Sequence, residues 1–285
     1  MAMRANLRTL KHAAWLGWQM ESNWTNPWLF AIYSVVKPIS ATLILVFMYL
    51  VIWGSVLEQP EIFSYMYVGN TFYMYVAQVL FGVVFVIHED REHYQTLKQV
   101  YIAPISFYFY IVGRAVPKIV ITTIAAIITL AFGVVFLGLP IALGGVDWAL
   151  LLMAMAVGLF CICMIGIALA GVSMLTAKHS MGINEGIAGM FYLFCGVTFP
   201  ITFLPTWGQV IGLAIPITYW LEVVRRAILP PDLQWDSGLA AYSTSTIFLM
   251  LLATSLIFLF LSIGIFRYAD RMARKKGKLD MSTTY

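Results

Sequence analysis

From Trp148 to Thr176 the chain runs without a single charged side chain, and five further stretches are comparably apolar: Trp28–Ile52, Ile62–Ile87, Phe107–Leu137, Gly186–Leu204 and Leu239–Phe266. A hydrocarbon core about 30 Å thick takes about 20 such residues as an α-helix. Lipid offers no hydrogen bonds, so each backbone polar group must be satisfied within the segment, as a helix does. The expectation is an all-α, polytopic membrane protein with six transmembrane helices over residues 28–266. Composition agrees, since 61% of the 285 residues are hydrophobic and only 11% charged, with a mean hydropathy of +0.87. Those values exclude a soluble domain.

Lys and Arg orient the spans. Arg4, Arg8 and Lys11 precede the first, Arg91, Lys98, Arg114 and Lys118 surround the second connection, and Lys178 lies in the fourth. Residues 267–285 form a basic tail with Arg267, Arg271, Arg274, Lys275, Lys276 and Lys278. The alternate connections, Trp53–Glu61 and Gly138–Asp147, hold Glu58, Glu61 and Asp147 but no Lys or Arg. Both termini are therefore expected in the cytoplasm, with the protein in a plasma or inner membrane. The net charge of +4 reflects topology and anionic membrane lipids rather than nucleic acid. Residues 1–27 place Met3, Leu7, Leu10, Ala14 and Trp18 at helical spacing, largely apart from Arg4, Arg8, Lys11 and His12. This reads as an amphipathic helix in the headgroup region, or as a basic topology signal alone. It lacks the layout of a signal peptide, so the N-terminus is expected to be retained.

Between the fifth and sixth apolar runs, Trp207–Ile215 and Ile217–Leu229 are each too short to cross. Pro200, Pro205 and Pro216 punctuate the region. A re-entrant hairpin over about 205–229 is one reading, because broken backbone at membrane depth is tolerated where protein or a wet cavity satisfies it. Two interfacial helices anchored by Trp207, Tyr219 and Trp220 are the other.

The densest polar block runs from His88 through Glu89, Asp90, Arg91, Glu92 and His93 to Lys98, between two apolar runs. Its acids are expected at the start of a short helix, where the helix dipole favours carboxylates. Leu97, Val100 and Tyr101 then offer apolar contacts on one side. Such a helix suits docking to a partner, with its charges setting register. A simple turn between spans is the plainer reading, although it would need fewer residues.

Glu89–Lys98, followed by Ala103-Pro104-Ile105-Ser106 and Gly113-Arg114, Phe199-Pro200, Leu204-Pro205 and Pro216–Tyr219 ending at Arg225-Arg226, resembles the type-2 permeases of ATP-binding-cassette (ABC) exporters. The resemblance covers nearly the whole chain. It implies a coupling helix over about 89–103 that docks on a separate nucleotide-binding ATPase subunit, with Glu89, Arg91, Glu92, Thr96, Leu97, Lys98 and Tyr101 as coupling residues. Where the family usually has Gly before Thr96, this chain has Gln95. No Gly-x-x-x-x-Gly-Lys-Ser/Thr segment occurs, so ATP and Mg are expected on the partner subunit and no cofactor on this chain. A second copy or a related permease would complete the pathway.

Lys37 beside Pro38 lines a conduit, binds a lipid phosphate, or snorkels to the surface. Glu222 with Arg225 and Arg226 forms an intrahelical ion pair or part of an outer gate, as do Phe199 and Pro200 for the pathway. Glu185 is expected to cap the fifth span. Cys161, Cys163 and Cys195 read as packing residues, and the histidines lack the partners of a metal site. Gly158, Gly166 and Gly171 read as helix-packing positions. Phe191, Tyr192, Phe194, Phe199 and Phe203 form an aromatic wall for an apolar cargo or for packing. The expected activity is export of an amphiphilic drug, lipid or lipid-linked glycan. An ATP-independent secondary transporter or a membrane-embedded lipid-modifying enzyme is the alternative. The first would show acids within spans and two similar halves, and the second a clustered reactive set.

Overall fold

The computed structural model describes residues 2–23, 26–54, 59–176 and 180–277, and within these every regular element is helical. Helix α1 (Ala2–Ser22) leads to α2 (Pro27–Trp53), where Asn26 accepts from the Trp28 N–H at 3.0 Å and Pro27 takes the first helical position. Both are favourable start signals. Helix α3 (Pro60–Tyr75), a π-helical turn at Val76–Leu80, α4 (Phe81–His88) and a second π-helical turn at Glu89–His93 make one rod of 34 residues. The short α5 (Leu97–Ile102) follows. Next come α6 (Phe107–Phe136) and α7 (Trp148–Leu175), the latter capped by Asp147 on the Leu150 N–H at 3.0 Å. Then α8 (Ser180–Phe194), α9 (Thr206–Ala214), α10 (Pro216–Ile228) and α11 (Thr244–Lys275) complete the chain.

Among the described residues, four helices are long and apolar enough to cross a membrane: Pro60–His93, α6, α7 and α11. The α9–α10 pair reaches that length only together, bent by 80°. Within α2 the described residues include a shorter apolar stretch, Ile39–Ile52. The expected continuous fifth span, Gly186–Leu204, differs from the structure. Helix α8 begins earlier, at Ser180, and stops at Phe194. There Gly196 turns the chain with φ +67° and Pro200 leads into a 3₁₀ turn at Ile201–Phe203. A left-handed residue and a proline end a helix for local reasons that hydropathy does not register. Glu185 falls past the first turn of α8, which carries no acid, so it does not cap that helix.

Helix α7 is the packing centre, and three glycines set its approaches. A Cβ on Gly158 would collide with the Trp220 indole of α10. One on Gly166 would lie 2.8 Å from Val83 of α4, and one on Gly171 3.1 Å from the Phe266 backbone of α11. Small residues thus bring three helices onto one, where close packing supplies the attraction that water supplies in soluble proteins. Helix α10 is buried almost throughout, with Trp220 meeting Phe72 and Tyr75 edge-on at 6.3 Å. Helix α1 packs along α6, where Gly113 stands against Ala13 and Gly17 against the Arg114 carbonyl. Its Leu7 and Trp15 remain exposed on other sides.

Gly158→Leu is expected to destabilise the fold by about 1–3 kcal/mol or more through overpacking against Trp220. Gly144→Ala, where nothing lies within 4 Å of the added methyl, should stay within about 0.5 kcal/mol of the parent. Thermal unfolding of both proteins in one detergent measures the contrast.

Candidate functional site

At the end of the Pro60–His93 rod, charges are gathered between α6 and α7. Asp90 is fully buried, and its carboxylate accepts from Arg114 Nη1 at 2.9 Å and from the Tyr110 hydroxyl at 2.8 Å. Arg114 reaches Glu89 through Nη2 at 2.9 Å and Tyr110 through Nη1 at 3.0 Å. One guanidinium on α6 therefore holds two adjacent acids, its planar fork matching two acceptors. Arg91 is buried beside Glu92 at 2.8 Å and donates to the Ser173 carbonyl of α7 at 3.4 Å. The acids stand at the C-terminal end of their helix, not at the start of a new one. The π-helical turn at Glu89–His93 is what carries the span's helix through them, and compensation comes from arginines on and across the rod instead of from a helix dipole.

The chain then breaks, so the helix expected over about 89–103 is limited to Leu97–Ile102. The Thr96 N–H returns to the Asp90 carbonyl at 2.8 Å, while the Thr96 hydroxyl makes no cap bond. Gln95 sits at φ +53°, a left-handed conformation that costs a side chain about 1–2 kcal/mol and glycine little. Leu97 is buried, so it anchors α5 to its own bundle. Lys98 is exposed, and the exposed apolar residue of α5 is Ile102, at 84%. Tyr101 stacks on Phe107 at 4.6 Å and donates its hydroxyl to Asp270 of α11 at 3.1 Å. Arg274 holds the same carboxylate at 3.1 Å and lies 4.9 Å from the Tyr101 ring centre. Burial, reinforced by the Asp270 charge, pushes the Tyr101 phenol well above its ordinary pKa, so it remains a neutral donor.

The opposite end of the rod is locked by a different cation. Arg225 on α10 is buried and donates to the carbonyls of Tyr65, Gly196 and Val197 at 3.3, 2.6 and 2.9 Å. Its guanidinium lies 3.6 Å from the Tyr65 ring centre. Of the two arginines expected beside Glu222, Arg226 makes the ion pair at 2.9 Å, one helical turn aligning i with i+4, while Arg225 points at the turn after α8. Arg226 also holds the Tyr242 and Leu239 carbonyls at 2.8 and 2.9 Å. Pro200 is buried and Phe199 half-buried beside this latch. Lys37 lies on α2, its side chain outside the described residues, as are Glu58, Lys178, His179 and Lys278. Among the described residues no cluster of three His, Cys, Asp or Glu is placed to hold a metal.

The sequence marked Asp90 only as one acid of the polar block, and did not point to Tyr110, Asp270 or the pairing of Arg114 with Asp90. The available signal was cost: a charge inside an apolar run, as at Arg114, requires a buried counter-charge.

Comparison with known proteins bears on this geometry. The profile of the family described as ABC-2 type transporter matches residues 13–229. Two curated relatives, each described as "Probable multidrug ABC transporter permease YbhR", come from Escherichia coli strain K12 and Escherichia coli O157:H7. Each is 25% identical over 157 residues, covering 52% of this chain and 40% of the relative. The chain thus spans less than half the length of the curated relatives it matches.

Removing one partner of the buried pair, as in Asp90→Leu, should cost about 3–5 kcal/mol, and adding Arg114→Leu should recover part of that loss. Gln95→Gly should stabilise by about 0.5–1 kcal/mol by relieving the left-handed residue, whereas the β-branched Gln95→Val should destabilise. Thermal midpoints of the purified variants check both.

Proposed function

Because the chain belongs to the ABC-2 type transporter family, we propose that it is the membrane-spanning permease of an ATP-driven exporter, moving an amphiphilic drug, lipid or lipid-linked glycan outward from the cytoplasmic side. The description of the two relatives as probable multidrug ABC transporter permeases favours a drug-like cargo. One observation carries the reading: the segment from Glu89 to Tyr101 is bonded to α6 through Arg114, to α7 through Ser173 and to α11 through Asp270. A push on α5 therefore reaches three further helices without passing through a flexible loop.

In this scheme a separate ATPase subunit, holding ATP and Mg, docks on the exposed side of α5 around Lys98 and Ile102. Glu89, Arg91, Glu92, Thr96, Leu97 and Tyr101 transmit its movement rather than touch it. This chain carries no ATP chemistry, and its work is to stabilise inward- and outward-open arrangements differently. Driving such an equilibrium from 1:99 to 99:1 takes about 5.5 kcal/mol of differential binding. Exchange of one or two buried ion pairs, at about 3–5 kcal/mol each, is of that size. The six crossings are α2, the Pro60–His93 rod, α6, α7, α8 with its following turns, and α11. The α9–α10 pair dips back from the outer face and both termini are cytoplasmic. Arg225, Glu222, Phe199 and Pro200 form the outer latch, Lys37 lies towards the cytoplasmic end of α2, and a second copy or related permease closes the pathway in the inner or plasma membrane.

Extraction of the tagged chain from its host in mild detergent should bring down an ATPase subunit in about equal amount. Lys98→Glu with Ile102→Asp, both exposed, should remove that subunit while leaving the thermal midpoint unchanged. A folded chain that purifies without any ATPase, or a double variant that retains it fully, contradicts the proposal.

A further inference from the structure

The rod carries two amide side chains in its apolar length, Asn70 and Gln78. Both are half-buried, and neither amide has a hydrogen-bond partner among the described residues. An unsatisfied amide at membrane depth is costly unless it faces water or a ligand. Gln78 lies within the π-helical turn at Val76–Leu80, a local distortion often found at functional sites. There it lines two adjoining cavities of about 550 and 490 Å³ that meet at Ala77, Gln78 and Lys118. Each is within the range of small-molecule pockets, about 300–1,000 Å³.

The charges of this cleft do not cancel. Lys118 is paired with Glu21, and Glu89 with Arg114, which leaves Glu185 of α8 facing the same cavity with no ion pair among the described residues. Phe81 and Phe85 line the wall beside it. A surplus carboxylate, a free amide and aromatic rings together favour a cation with an apolar body, because ring faces and a carboxylate both attract positive charge. We propose that the cleft between the π-turn of the second span, Lys118 and Glu185 binds an amphiphilic organic monocation, with its charged centre near Glu185 and Gln78 and its apolar body against Phe81 and Phe85. The inference rests on the exporter reading in taking this ligand as cargo, and names the cargo's chemical class.

Equilibrium dialysis of the purified chain in lipid nanodiscs, with empty nanodiscs subtracted, tests it using two ions of similar size and opposite charge, tetraphenylphosphonium and tetraphenylborate. Saturable binding is expected for tetraphenylphosphonium alone. Glu185→Gln should weaken it about tenfold and Glu185→Lys abolish it, with thermal midpoints unchanged because Glu185 is exposed. Gln78→Leu should weaken it as well. No saturable tetraphenylphosphonium binding, equal binding of the borate, or indifference to both Glu185 substitutions overturns the proposal. The assay needs no ATPase. Cation binding by a chain that recruits no ATPase would support the cleft and sink the exporter reading, whereas a recruited ATPase with no cation binding would sink the cleft alone.

Discussion

Everything at the charged end of this bundle depends on Arg114 meeting Asp90 inside a protein that otherwise excludes charge. The carboxylate is inaccessible to water and the guanidinium nearly so, so neither is tolerable without the other. Their contact fixes where the Pro60–His93 rod ends against α6. The returning Thr96 N–H, bonded to the Asp90 carbonyl, fixes where α5 begins. A hydrophobic contact at the same place would permit sliding, but a bidentate arginine with two acids defines a register.

The two ends of the rod are held by different physics. At the Glu89 end, acids and arginines neutralise one another, and such pairs can exchange partners between two arrangements. At the other end, Arg225 is held by carbonyl oxygens and the Tyr65 ring. Gly69 leaves the room that latch needs, since a Cβ there would strike both Arg225 and the Val197 carbonyl. A single helix thus joins an ionic cluster to a backbone-anchored cation, with the π-helical turn and its free amide between them.

Much of this was readable in the sequence. Long uncharged runs such as Trp148–Thr176 have one physical outcome in a chain this apolar, and α6 and α7 appear close to their expected limits, whereas α11 starts at Thr244 and runs on to Lys275 instead of covering Leu239–Phe266. The polar block at Glu89–Lys98 was also conspicuous as a concentration of charge between two apolar runs. Its local structure was not. Whether Glu89 and Asp90 begin a helix or end one turns on a partner 24 residues away from Asp90, and no periodicity encodes that. The early stop of α8 follows from Gly196 and Pro200, local breakers inside a run whose hydropathy continues past them. Gln78 escaped notice for a similar reason: one amide barely lowers the hydropathy of its span, and only the cavity beside it gives it meaning.

The central claim is that displacement of α5 reaches the spans through side-chain contacts, of which Tyr101 with Asp270 is the link to α11. The most direct measurement replaces that link by one that can be made and broken. Tyr101→Cys with Asp270→Cys would be assembled with the proposed ATPase subunit in proteoliposomes, and ATP-dependent transport followed before and after a short, reducible bis-thiosulfonate bridges the two thiols. Cys161, Cys163 and Cys195 are buried and should not compete. The account predicts ATP hydrolysis without transport in the unbridged protein, transport restored on bridging, and loss again on reduction. Transport at the parent rate in the unbridged protein would contradict it.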